Sequence, residues 1–137
     1  MKREDFRAQA AAMDQEHRNR WKLLMATEGE DLDEDGYPTE LALERIKAWH
    51  LSDKAGWIEF VHNLWHLAEW GWGEAEEDHD WKKGEKVRRF HVSTAGWSGN
   101  ESLIRAMQDN QMLWSLVWVQ ARRGGHYVFE IDREIAE

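Results

Sequence analysis

The chain of 137 residues predicts an α+β fold, three N-terminal helices followed by a β-α-β-β mixed three-stranded sheet. Three observations carry this reading. Apolar residues recur every three or four positions up to about residue 70, the period of a helix. Beyond Gly84 the period shortens to that of strands, and Arg122-Arg123-Gly124-Gly125 reads as a hairpin turn between two apolar runs. The length suits one domain over residues 1–137, since a domain commonly holds about 150 residues. It divides into an acidic, Trp-rich helical part (1–70), an acidic connector (71–84) and a β-α-β-β part (85–137).

The elements follow in order. From Arg3 to Thr27, Phe6, Ala10, Met13, His17, Trp21 and Leu24 fall on one helical stripe. The acidic stretch Glu28 to Gly36 interrupts it. Tyr37-Pro38-Thr39 then opens a second helix, with Thr as cap and Ala42, Leu43, Ile46 and Trp49 as its stripe. Ser52 or Asp53 caps a third helix that runs to about Trp70 on Trp57, Ile58, Val61, Leu64, Trp65 and Ala68. Gly71 to Gly84, with three glycines and five acids, reads as an exposed connector. Lys86 to Ser93 is a strand, and Ala95 to Gly99 a loop. Gly99 to Asp109 is a short helix announced by the capping box Ser98-Gly99-Asn100-Glu101. The almost wholly apolar run Met112 to Gln120 reads as a strand buried on both faces, and His126 to Ile131 as its return partner.

Composition narrows the function classes. With no cysteine, disulfides, thiolate metal sites and cysteine nucleophiles are excluded. No apolar run nears the ~18 residues of a membrane span, and MKREDFRAQA is too polar for a secretory signal, so the expected location is the cytoplasm. Residues 1–80 hold 20 acids and 9 bases (net -11); residues 81–137 hold 7 acids and 9 bases (net +2). An acidic N-terminal half repels duplex DNA and anionic membranes, so neither is an expected partner. Ten tryptophans exceed what one core of this size needs; the surplus is compatible with an interface, a homodimer included.

Strand–helix–strand order favours a parallel pair with a right-handed crossover, which brings the ends of both strands to one sheet edge. Two distant loops then face each other. One presents Ser93, Thr94, Trp97 and the amides of Ser98, Gly99 and Asn100; the other presents Arg122, Arg123, His126 and Tyr127. Helix N-termini attract anions, and guanidinium forks match phosphate. The expected ligand is therefore a phosphorylated molecule, held by those amides, clamped by Arg122 and Arg123, hydrogen-bonded by His126, with a base stacked on Trp97. Against this, Ser98 serves equally as a cap and the arginines as solubilising turn residues.

Spacing suggests two metal sites. His62, His66 and Glu69 share a helical stripe with a zinc-like spacing, but lack the Glu that follows the first His of a metalloprotease helix. Asp31-Leu32-Asp33-Glu34-Asp35-Gly36 begins like a calcium loop, yet Pro38 and Ala42 occupy the eighth and twelfth positions. Covalent catalysis by Ser93 or Ser98 lacks a nucleophile elbow and an orienting acid.

The segments Ser93-Thr94-Ala95-Gly96-Trp97-Ser98-Gly99-Asn100-Glu101, Trp114 and Arg122-Arg123-Gly124-Gly125-His126-Tyr127, with Gly36-Tyr37-Pro38-Thr39-Glu40 as a weaker marker, resemble a family of small proteins encoded by tailed phages and prophages. The family motif reads Ser-Thr-Gly-Gly-Trp-Ser-Gly-Asn-Glu, and Ala95 departs from it, suggesting that the backbone there need not be glycine-like. The resemblance covers mainly residues 85–131. It implies a viral protein expressed in the bacterial host cytoplasm, and assigns no activity, cofactor or catalytic residue. The leading expectation is a non-enzymatic accessory protein that binds an anionic ligand or host component. The alternatives are an acidic inhibitor of a host defence system, acting as a nucleic-acid mimic or nuclease-docking protein, and a His/Glu metal-dependent hydrolase.

Overall fold

The computed structural model describes residues 2–132. Its elements are α1 (Arg3–Ala26), α2 (Glu40–Ala48), α3 (Lys54–Leu64), α4 (Ala68–Gly71), β1 (Trp72–Asp78), β2 (Lys86–Ser93), α5 (Ser98–Asp109), α6 (Gln111–Val117), β3 (Trp118–Arg122) and β4 (His126–Asp132). The α+β class holds. The sheet, however, has four strands in the order β1-β2-β4-β3 and is antiparallel at every pairing, so it is neither mixed nor three-stranded.

Local chemistry explains the helix boundaries. Thr39 Oγ1 accepts the Ala42 amide at 3.2 Å, and Asp53 Oδ1 accepts the Gly56 amide at 3.0 Å, so α2 and α3 start where their caps stand. Buried Arg45 closes the C-terminal end of α1. Its Nε donates to the Leu24 carbonyl at 2.9 Å, its Nη2 to the Thr27 carbonyl, and its Nη1 to Asp31 at 2.7 Å. One guanidinium thus satisfies helix-end carbonyls and fixes the acidic turn against α2. The first half of α1 has no such anchor: residues 2–13 are all exposed, Phe6 and Met13 among them.

Four expected elements are revised. The third helix does not reach Trp70: it ends at Leu64, because buried Asn100 takes over the backbone of His66. The Asn100 amide oxygen accepts the His66 N–H at 2.9 Å and its nitrogen donates to the His66 carbonyl at 3.0 Å. Leu67 then turns left-handed (φ 57°) before α4. The expected connector 71–84 contains strand β1, whose acids pair across to β2: Glu74 with Arg88 at 3.0 Å, Glu77 with Arg89 at 3.1 Å, and Asp78 with Lys86. The apolar run 112–120 is not a doubly buried strand. It splits into α6, which buries Leu113 and Val117, and the wholly exposed edge strand β3. Ser98 is no cap: Trp97 occupies the cap position, and no side chain bonds the first amides of α5.

The core lies between the helices and one sheet face. Ala42, Ile46, Trp49, Trp57, Ile58, Val61, Leu103, Met107, Leu113 and Val117 pack against Phe90, Val92, Phe129 and Ile131. The indoles of Trp49, Trp57 and Trp65 bury their rings and donate to the carbonyls of Asp53, Ile46 and Ser93 at 3.0, 3.0 and 3.1 Å. Side chains alternate along strands, so with Phe90 and Phe129 inward, His91, Ser93, His126 and Val128 point to the opposite face. The two sheet margins differ. β1 carries Glu74, Glu76, Glu77 and Asp78, whereas β3 reads Trp118-Val119-Gln120-Ala121-Arg122 without an acid.

Candidate functional site

The two loops expected to converge do meet, by a different route. β2 and β3 run in the same direction but are not neighbours: β4 lies between them and pairs antiparallel with both. Ser93 stands opposite His126, and His126 opposite Arg122, so three adjacent strands contribute one row of polar side chains. Directly opposed residues have Cβ atoms about 4.5–5.5 Å apart and share a face. The loops also touch: the Thr94 N–H donates to the Gly125 carbonyl at 3.0 Å.

The sheet nevertheless sorts the candidate residues into three places. Ser93, Arg122 and His126 share an open hollow of about 550 Å³ with His91, Gln120 and Trp70 on the face away from the core. Thr94 and Tyr127 lie on the other side, with Glu101, Arg105 and Gln108 around a smaller hollow of about 300 Å³. Trp97, Ser98, Gly99 and Asn100 form the third group. Trp97 is stacked between His66 at 4.2 Å and Tyr37 at 4.6 Å, so both faces of its ring are taken and it offers no stacking surface to a base. A Cβ on Gly99 would lie 2.1 Å from the Trp97 ring, which shows that the indole rests on the first turn of α5. Gly99 and Asn100 are buried beneath it, and the Asn100 side chain is spent on His66 and Thr94. Two of the three residues of the expected amide site for an anion are thus buried, and Ser98 alone stays exposed.

Strain sits at the same corner. Thr94 is 2% exposed, and a Cβ on Gly125 (φ 80°) would come within 2.3 Å of its Oγ1, so the turn requires glycine there. Ala95 has φ 54°. This corrects the inference drawn from its departure from the family motif: the backbone at that position is left-handed even though the residue is alanine.

Charge on this sheet face is uneven. Beyond the hollow Arg89 is tied to Glu130 at 2.6 Å and to Glu77 at 3.1 Å, and His91, which lines the hollow, meets Glu77 at 3.2 Å. Burial would push the Glu77 carboxyl up, but hydrogen bonds from His91 and Arg89 outweigh it and hold the group below its ordinary value. Arg122, Arg123 and His126 form no ion pair among the described residues. In a protein of formal charge -9, the two arginines are cations left without a carboxylate.

Neither metal site assembles. The break at Leu64 removes the common stripe of His62, His66 and Glu69: His62 stacks on Trp72 at 4.7 Å, His66 stacks on Trp97, and exposed Glu69 lies on α4. In the acidic turn, Asp33 Oδ1 accepts the amides of Asp35 and Tyr37 at 2.9 Å each, and Asp31 is bound to Arg45. No group of three His, Asp or Glu side chains placed to hold a metal occurs among the described residues.

Sequence reasoning missed one constellation. His50, almost fully buried between α2 and α3, has Nε2 2.7 Å from Asp14 Oδ1 and Nδ1 2.8 Å from Ser52 Oγ. The Ser52 amide also donates to Nδ1 at 3.1 Å. An amide N–H only donates, so Nδ1 carries the lone pair and Nε2–H faces the carboxylate. The arrangement looks like a Ser–His–Asp relay. Yet a proton taken up on Nδ1 would oppose the Ser52 N–H, so the ring works as a strut between α1 and the α2–α3 corner rather than as a base. Hydrogen bonds from Arg18 and then His50 hold the Asp14 carboxyl below its ordinary value. Separations of 36 and 2 residues gave no periodic signal.

No helix among the described residues is long and apolar enough to cross a membrane. Comparison with protein-family models, curated proteins and solved structures finds no match to this chain.

Proposed function

We propose that this protein is a non-enzymatic binding protein, of the accessory kind that tailed phages express in the host cytoplasm, and that it recognises a phosphate-bearing ligand on the open sheet face. The observation that supports this reading is the row Ser93–His126–Arg122 across three adjacent strands, flanked by His91 and Gln120 in one hollow. Arg122 supplies a planar fork of donors, His126 a ring N–H and Ser93 a hydroxyl, a set suited to the oxygens of a phosphate. The side chains stand on strands, so the site is formed before the ligand arrives. A volume of about 550 Å³ fits a small molecule, since such sites commonly span ~300–1,000 Å³.

Thermal shift with inorganic phosphate and pyrophosphate tests it. A ligand at 100 times its Kd stabilises the folded state by about 2.7 kcal/mol. Wild type should show a saturable rise in Tm, and Arg122→Ala should lose it. Equal behaviour of the two proteins would remove the reading.

A second reading, an acidic protein that docks on a host defence protein, is favoured by one observation: residues 3–13 of α1 are exposed and present Phe6 and Met13 on one stripe. Its test is salt-sensitive capture of a host partner that Phe6→Ser with Met13→Ser abolishes.

A further inference from the structure

The phosphate reading gives Trp70, at the rim of the hollow, no role. Trp70 is 86% exposed, on a four-residue helix, and its ring makes no aromatic contact among the described residues. Tryptophan is costly to leave in water, because its large apolar ring is the part that gains from burial. Its placement is nevertheless built. Gly71 brings α4 against the end of β2 so closely that a Cβ would lie 2.6 Å from the Ser93 carbonyl oxygen and 3.2 Å from the Trp65 indole nitrogen. No larger residue fits there, and the close approach sets Trp70 at the rim of the hollow that holds Ser93, His126 and Arg122. A flat apolar surface and a phosphate-binding row therefore border one hollow.

Resting on the phosphate-binding reading above, we infer that the ligand is a mononucleotide, with its phosphates on Arg122 and His126 and its base stacked on Trp70. Trp70 replaces Trp97 in that role, whose two faces are already covered by Tyr37 and His66. A planar ring with an anion at one end matches the layout: the apolar wall is at the β2 end, and the His126 ring and the unpaired Arg122 guanidinium are on β4 and β3. A single strand of nucleic acid offers the same chemistry in each unit, but it brings further phosphates toward a protein of formal charge -9, with the Glu77–Glu130 acids at the far side of the same face. The free nucleotide is the occupant the charges favour.

Calorimetric titration of wild type with pyrophosphate, adenosine diphosphate and a six-residue oligodeoxyadenylate tests this, alongside Trp70→Ala, Trp70→Phe and Arg122→Ala. Base stacking on an aromatic side chain is worth about 1–3 kcal/mol, or roughly 5- to 150-fold in affinity. Adenosine diphosphate should bind wild type at least about 5-fold more tightly than pyrophosphate does. Trp70→Ala should abolish that preference and leave pyrophosphate unchanged; Trp70→Phe should retain most of it. Trp70 is exposed, so neither replacement threatens the fold. Equal affinity for the two ligands, or a preference that survives Trp70→Ala, overturns the nucleotide inference and leaves the phosphate reading standing. Failure of both ligands to bind overturns both readings. Binding of the oligonucleotide many-fold more tightly than the diphosphate overturns the mononucleotide as occupant.

Discussion

Gly125→Ala and Gly124→Ala are a pair of changes that differ in one contact, and the structure predicts a clear gap between them. Both glycines have positive φ, 80° and 93° respectively, so alanine at either position carries the left-handed penalty of about 1–2 kcal/mol. At Gly124 the new methyl meets only the His126 ring, at 3.4 Å, an ordinary contact. At Gly125 it would sit 2.3 Å from Thr94 Oγ1, a hydroxyl that is nearly sealed from solvent. Relieving that overlap costs about 1–3 kcal/mol as overpacking, and weakening the Thr94 N–H to Gly125 carbonyl bond costs about 1 more. The expected losses are therefore roughly 1–2 kcal/mol for Gly124→Ala and roughly 3–6 for Gly125→Ala. Urea unfolding resolves this: with a slope of about 1–3 kcal/mol/M, a gap near 2 kcal/mol separates the midpoints by roughly 1 M. A double-mutant cycle isolates the cause. Once Thr94→Ala removes Oγ1, the nearest remaining Thr94 atom lies at an ordinary 3.4 Å, and Gly125→Ala should then cost no more than Gly124→Ala. Equal losses at the two glycines in the wild-type background, or a Gly125 cost untouched by Thr94→Ala, would refute the argument.

Three further outcomes are expected. Asn100→Ala strips two hydrogen bonds from the His66 backbone and should cost about 1–3 kcal/mol by chemical denaturation, whereas Ser98→Ala should change little. Ala95→Gly removes a left-handed alanine and should raise stability by up to about 1 kcal/mol, the strain relief exceeding the entropy glycine adds to the unfolded chain. The Asp14 carboxyl is lowered in the folded state by Arg18 and His50, so its contribution is present above the ordinary Asp range near ~3.9 and is lost as pH falls through the lowered folded value. Melting curves of Asp14→Asn and wild type should accordingly diverge above that range and approach each other below it.

Much of the fold was legible because its signals are local. The 3.6-residue stripe of α1, the Thr39 and Asp53 caps, and the glycines of the β3–β4 turn all lie within a few residues of what they specify. The failures share the opposite property. β1 reads as a connector because glycine and acids are poor strand formers; it forms because its acids face Arg88, Arg89 and Lys86 on β2. The complementary basic run 82–89 was the available signal. The long third helix fails at His66 because Asn100, 34 residues away, captures its backbone. The apolar run 112–120 hid a helix start at Asn110, whose side chain caps Leu113 and also donates to Ile46 and Trp49. For the site, the meeting of residues 93–94 with 125–126 was readable from strand direction. Which side of the sheet each side chain takes was not, since that depends on pairing register.

The unequal borders of the sheet limit how it can grow. Strand-by-strand accretion of many copies needs two receptive flanks on every copy, so that each newcomer offers a fresh place for the next. Only the Trp118–Arg122 flank is free of carboxylates; the Trp72–Asp78 flank meets any newcomer with a row of carboxylates whose ion pairs to Arg88, Arg89 and Lys86 docking would have to desolvate. Two copies joined flank to flank would leave only acidic borders outside, so any such association halts at a pair instead of running on into a fibre.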